Sequence, residues 1–161
     1  MMDVTALIAI QEHSYARASP TLRAAWPKAD ALGHAQLAAF LGRHRYCVLA
    51  TSRPDGRANA APVGFVVHDS AFWFATGAGL RLRNVVAQPW AALSVMEGDA
   101  DVGEDGQPHV ALTAEGEVIV HDLARWKAFE GEWLRRHTDP PTWAAAILEL
   151  RPARIFSHTS R

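Results

Sequence analysis

The chain has 161 residues, of which 49% are hydrophobic and 20% charged, with a formal net charge of −1. That is ordinary globular composition for a single domain, 1–161, large enough to bury a core without covalent staples. The near-zero charge leaves no basic footprint for a nucleic-acid partner. One cysteine, Cys47, excludes an internal disulfide framework and a multi-cysteine metal site. Inside an apolar run it reads as a buried small hydrophobe. The opening Met1-Met2-Asp3-Val4-Thr5 has no basic leader, and no apolar run approaches about 18 residues. The expectation is a cytoplasmic protein with no membrane partner.

An N-terminal helical segment occupies 1–42. Its first helix runs from Asp3 to about Ala16, with Asp3 or Thr5 as cap and Leu7, Ile8 and Ile10 on its apolar side. Pro20, Trp26-Pro27 and Asp30 read as a connection. Leu37, Phe40 and Leu41 then mark a second helix that Gly42 stops. Arg43-His44-Arg45 forms a small basic patch, either a solvated edge or a neighbour of a bound anion.

From Tyr46, in the 43–161 barrel portion, the period changes. Tyr46–Thr51 is strand-like, and Arg53-Pro54-Asp55-Gly56 is a turn. A second strand from about Arg57 to Val67 carries Pro62 and Gly64 in its interior, which signals an edge, a bulge or a close ligand. Ala71–Thr76 is the third strand. Trp90–Met96 is the fourth, apolar enough on both faces to be covered on both sides. Glu97–Gly106 reads as a solvated acidic connection, without the spacing of a calcium loop. A fifth strand spans about His109 to His121, with Gly116 at a kink or bulge. Asp122 then caps a helix to about His137, with Leu123, Trp126 and Trp133 on its buried side and Glu132 placed to pair with Arg136. A closing strand pair, Trp143–Leu150 and Ala153–His158, flanks Arg151-Pro152. About six strands with regular turn signals indicate an α+β fold, a small closed barrel with helices packed outside.

The most informative stretch is Phe72-Trp73-Phe74-Ala75-Thr76-Gly77-Ala78-Gly79-Leu80-Arg81-Leu82-Arg83-Asn84. It reads as a strand, a glycine-spaced turn and a short helix closed by Pro89. Arg81 and Arg83 fall in the helix's first turn, where backbone N–H groups are unpaired and the dipole is positive. An anion such as a phosphate would reconcile cations with that position. The plain alternative is a surface turn with two solvated arginines.

Reactive chemistry is sparse. The eight histidines show no metal-ligand spacing, so no metal is expected. No nucleophile elbow or P-loop is present, and no catalytic side chain is singled out. A bound cofactor that carries the reaction would account for this. The six tryptophans suit a planar ring or, more simply, a core and a dimer interface. A small filled barrel has no room for a large ring, so a cofactor would lie outside, in a cleft completed by a second copy.

Val48-Leu49-Ala50-Thr51, Pro54-Asp55-Gly56-Arg57 and Ala61-Pro62-Val63-Gly64-Phe65 resemble the opening strands of the pyridoxamine 5′-phosphate oxidase-like, FMN-binding split β-barrel superfamily. Phe72–Thr76, Gly79–Val85 and Gln88–Val95 continue the resemblance in order, and Val110–Asp122 resembles its next strand. The likeness covers about residues 37–122. It implies a six-stranded antiparallel split β-barrel with flanking helices, a homodimer, and a flavin in a groove between subunits. By resemblance, Ala61, Pro62, Val63 and Gly64 present backbone to the isoalloxazine ring. Thr76 and Gly77 approach the ribityl phosphate. Arg81 takes the place where the family has a phosphate-binding lysine, and Arg83 and Asn84 match a second basic position and a polar residue at the helix start. Ala60 and Phe65 stand near the places where true pyridoxamine phosphate oxidases carry basic residues, and Arg151-Pro152-Ala153-Arg154 does not reproduce their substrate arginines. The expected function is therefore an FMN-dependent oxidoreductase acting on some other small molecule. The Gly-x-Arg-x-Arg-Asn form also resembles the branch that uses the deazaflavin F420, which is the alternative cofactor. A flavin- or haem-binding protein without turnover is a third reading.

Overall fold

The computed structural model describes residues 2–97 and 110–159. The acidic stretch beyond Glu97 and the first residue assigned to the fifth strand, His109, lie outside the described residues.

Helices α1 (Thr5–Ala16), α2 (Pro20–Ala25) and α3 (His34–Arg43) precede the sheet. Asp3 Oδ1 accepts the Thr5 N–H at 2.9 Å and so satisfies an orphan donor at the start of α1. The segment expected to be a plain connection contains α2, because Pro20 fills the first helical position and Ser19 Oγ accepts from Leu22 N–H. At α3, Gln36 Oε1 reaches back to the Gly33 N–H at 3.0 Å.

Seven strands form one curled antiparallel sheet: β1 (Tyr46–Ser52), β2 (Ala58–Gly64), β3 (Val66–His68), β4 (Ala71–Thr76), β5 (Trp90–Met96), β6 (Val110–His121) and β7 (Ala146–Thr159). The spatial order is β2-β1-β5-β6-β7-β4-β3. The sheet has seven strands where a six-stranded barrel was expected, and two boundaries differ from the expected ones in opposite senses. The long second strand breaks at Phe65, whose N–H turns to the Arg45 carbonyl, and its two halves end at opposite edges of the sheet. The expected closing pair is instead one strand, β7, which passes through Arg151-Pro152 with a register shift opposite Glu115/Gly116. Gly116, the glycine that the sequence marked, faces this bulge, whose extra residue is Ala153 of β7. An added Cβ there would lie 1.9 Å from the Arg151 carbonyl oxygen, so the two backbones close only over a glycine.

The barrel interior is filled by its own side chains, including Phe65, Phe72, Phe74, Leu49 and Leu112, with Phe40 and Leu37 of α3 and Leu7 of α1 packed against them. A fully buried side chain of this kind contributes about 1.5–3 kcal/mol. Trp73, Trp126, Phe129 and Trp133 form a second core outside β4. Hence β4, not β5, is the strand covered on both faces; in the single chain β5 buries Ala91, Leu93 and Val95 and leaves Trp90 and Met96 exposed.

The helix expected from Asp122 to His137 is a 3-10 segment, Leu123–Phe129, followed by α5 (Glu130–His137), and Asp122 makes no side-chain cap. Glu132 meets Arg135 at 3.8 Å rather than Arg136. Arg136 turns inward and donates to the Leu41 and His44 carbonyl oxygens, tying α5 to the end of α3.

Candidate functional site

The β4–α4 connection builds the site. Helix α4 (Leu80–Ala87) starts at Gly79, which has no side chain to cap it. The Gly79 N–H bonds the Gly77 carbonyl oxygen at 2.9 Å, and the Arg83 N–H closes the first turn on Gly79 O at 3.1 Å. The N–H groups at the start of the helix therefore face outward without a cap. Ala145 N–H donates to Thr76 O at 2.8 Å and fixes the turn against the loop that enters β7. Thr76, Gly77, Ala78, Gly79, Leu80 and Arg81 line an open cavity of about 450 Å3, and Asn59 of β2 completes its wall.

Arg81 carries the electrostatics of this cavity. Its side chain is half-buried, and Nε is enclosed without a hydrogen-bond partner. Burial pulls its pKa down, opposed by the neighbouring Cys47. Cys47 itself is 4% exposed, and burial pushes its thiol up to about 12 despite Arg81, so it is an inert packing residue. A desolvated guanidinium with an orphaned donor, beside an uncapped helix N-terminus, fits the phosphate of a cofactor.

Arg83 does not share this position. Two residues along a helix turn a side chain by about 200°, and Arg83 is exposed and outside the cavity lining. The structure does not bring the two arginines around one anion. Asn84 lies behind the cavity, 1% exposed, where its Nδ2 donates to Thr51 Oγ1 at 3.0 Å. It anchors α4 to β1, while its Oδ1 stays buried without a partner.

Ala61, Pro62, Val63 and Gly64 lie on β2, which among the described residues pairs with β1 alone and so has a free backbone edge. Asn59, Ala61 and Val63 oppose Thr51, Leu49 and Cys47 and face inward, while Ala60, Pro62 and Gly64 face outward. Pro62 thus sits on an edge strand, where its missing N–H costs little. Gly64 has a different cause from the one expected: a Cβ there would meet the His137 ring at 2.7 Å, so an imidazole of the same chain takes the space. His137 Nε2 donates to the Phe65 carbonyl oxygen at 3.1 Å, and its ring packs on Trp133 and Tyr46. Burial, with help from Arg136 and Arg45, lowers its pKa against that hydrogen bond.

Sequence reasoning missed Asn59 and His137. Asn59 had a signal, a polar side chain on the inward face of an apolar strand. His137 had none, since it reaches Gly64 across 73 residues of chain. Among the described residues, no group of three side chains could hold a metal ion, and no helix is long and apolar enough to cross a membrane.

No curated protein matches the chain. Several solved structures share its fold. A conserved hypothetical protein of Mycobacterium tuberculosis superposes with a TM-score of 0.66 at 19% identity, over 84% of this chain and 90% of that one. A FAD-binding protein from Mesorhizobium loti gives 0.62 at 18% identity, over 81% and 97%. An F420 reductase gives 0.56 at 27% identity, over 73% and 94%. The model of the pyridoxamine 5′-phosphate oxidase family matches residues 34–159, from the start of α3 to the end of β7, and the chain belongs to that family.

Proposed function

We propose that this protein is a flavin-type oxidoreductase that binds the phosphate of its cofactor at the start of α4. The observation that carries the reading is Arg81, with its buried unpartnered Nε beside the uncapped helix N-terminus. FMN is the first occupant. Thr76, Gly77 and Arg81 would hold the phosphate, and the free edge of β2 at Ala61, Pro62 and Val63 would offer backbone groups to the isoalloxazine ring. Gly64, closed by His137, would end that platform. The bound cofactor would supply hydride or electron transfer to a small-molecule substrate, while this chain supplies binding and orientation.

F420 is the second reading, favoured by the 27% identity to a solved F420 reductase. Parallel fluorescence titrations with FMN and with F420 separate the two. Micromolar binding of FMN alone supports the first reading, and binding of F420 alone supports the second. If neither binds, both readings fail, and haem is the next ligand to titrate.

The cofactor cleft is completed by a second copy in this proposal. The outer face of β2, β1 and β5 exposes Tyr46 at 63%, Val48 at 44%, Trp90 at 47% and Met96 at 56%. Between these lies a flat row, Ala60, Ala50 and Ala92, in direct register. Large apolar side chains around a flat row are suited to a self-complementary face. Val48→Glu with Trp90→Glu is expected to give a monomer by analytical ultracentrifugation; an unchanged sedimentation coefficient at micromolar concentration would reject this face.

A further inference from the structure

A second cavity lies at the opposite end of β2 and shares no lining residue with the Arg81 pocket. Its volume, about 830 Å3, lies within the usual range for small-molecule sites. The end of α3, the residue before β1, the β3–β4 turn and α5 converge on it, and Arg43, Arg45, Arg135 and Arg136 all line it. Asp3, Asp69 and Glu132 also line it, so the distribution of pairs decides its character.

Among the described residues, none of the three acids pairs with an arginine of the cavity closer than 3.8 Å. Asp3 accepts the Thr5 N–H, Asp69 lies 3.3 Å from His68, and Glu132 is shared at long range by His68 at 3.9 Å and Arg135 at 3.8 Å. Arg43 is matched by Glu97. The other three cations are poorly compensated. Among the described residues, Arg45 has no ion pair, Arg135 has only its 3.8 Å contact, and Arg136 meets backbone carbonyl oxygens. Arg136 is half-buried, and burial together with the charges of Arg135 and Arg45 lowers its pKa, with Glu132 opposing. Like charges gathered around a partly desolvated guanidinium are unfavourable unless an anion joins them.

We infer that this cavity is a second ligand site, which takes a small polyanion bearing phosphate or several carboxylates on Arg45, Arg135 and Arg136. Guanidinium forks suit both oxyanions, since each can accept paired N–H bonds. The cavity exceeds what a single inorganic ion needs, so the ligand has an organic body, which would rest on Val67 and Met2. This site is independent of the cofactor reading.

The test is calorimetric titration of the full chain at low ionic strength with citrate and with pyrophosphate. Binding of citrate alone identifies a polycarboxylate site, binding of pyrophosphate alone a phosphate-ester site, and binding of both a general polyanion site. Arg45→Ser/Arg135→Ser is expected to weaken binding at least tenfold, while the corresponding double lysine variant, which keeps the charge but not the paired N–H groups, recovers part of it. Arg81→Ala should leave it unchanged. Both replaced side chains are exposed, so the fold should survive; if the double variant does not fold, Arg45→Ser alone is expected to cost at least threefold. The inference is overturned if neither probe binds at millimolar concentration, if the serine variants bind like the parent, or if Arg81→Ala abolishes binding.

Discussion

Arg81→Met separates the structural from the functional role of the arginine, because the two predict opposite signs. In the folded chain Nε is buried with no acceptor. An unsatisfied buried donor costs about 1–3 kcal/mol when fully enclosed. The side chain is half-buried, and solvent screening reduces this to about 1 kcal/mol. Methionine fills a similar volume, has comparable helix propensity and needs no partner. The cofactor-free variant should therefore gain about 1 kcal/mol, which raises the Tm by about 2–4 °C in a domain of this size. With cofactor the balance reverses. Losing a charge-assisted contact to phosphate costs about 1.5–3 kcal/mol, a weakening of roughly 10- to 100-fold in Kd. Urea unfolding of the cofactor-free protein and fluorescence titration with FMN and F420 read the two effects separately. A variant that is less stable than the parent yet binds the cofactor equally well would refute the reasoning, since Arg81 would then serve the fold.

Three further expectations follow from close packing and burial. Gly116→Ala places a Cβ 1.9 Å from a backbone oxygen, and forcing β6 from β7 should cost about 3–4 kcal/mol or prevent folding; a melting point within 2 °C of the parent would contradict the tight bulge. Gly64→Ala drives into the His137 ring at 2.7 Å and should cost about 1–3 kcal/mol, part of which His137→Ala should restore in the double variant. The depressed His137 pKa has a definite sign in pH dependence: the unfolded chain takes up a proton near 6.5 that the folded chain resists, so stability is complete above that value and falls as pH decreases towards the folded pKa. His137→Gln keeps a donor for Phe65 O and lacks the titration, so its denaturation midpoint should fall less than the parent's between about pH 7 and 5; parallel curves would reject this assignment.

Local rules made much of the fold legible. Period-2 runs placed Tyr46–Thr51, Ala71–Thr76 and Trp90–Met96 within a residue of the observed strands, and the run to His121 ended where β6 ends. Gly116 was readable because a glycine inside a strand has few uses. The errors came where non-local packing decides. The sequence from Arg57 to Val67 is continuous in strand propensity, but the curled sheet needs its two halves at opposite edges, so it breaks at Phe65. Proline at 152 suggested a chain break, whereas the bulge opposite Gly116 lets β7 run through it.

The same division explains the site. A glycine turn followed by a helix start is a local pattern, so Thr76, Gly77 and Arg81 could be placed together from sequence and do line one cavity. The same local pattern put Arg83 beside Arg81, and resemblance added Asn84, both without their orientations. The turn of the helix sends one into solvent and the other into the core against Thr51. Gly64 shows the limit most clearly, because a missing side chain does not say what fills the gap. Ligand and protein atoms both need the space a glycine leaves, and here His137 occupies it from the far end of α5. The cavity proposed for the phosphate is thus lined mostly by residues adjacent in sequence. The proposed ring platform on β2 depends instead on contacts between α5, β1 and β2, where substitutions remote in sequence from the glycine turn should alter it without touching Arg81.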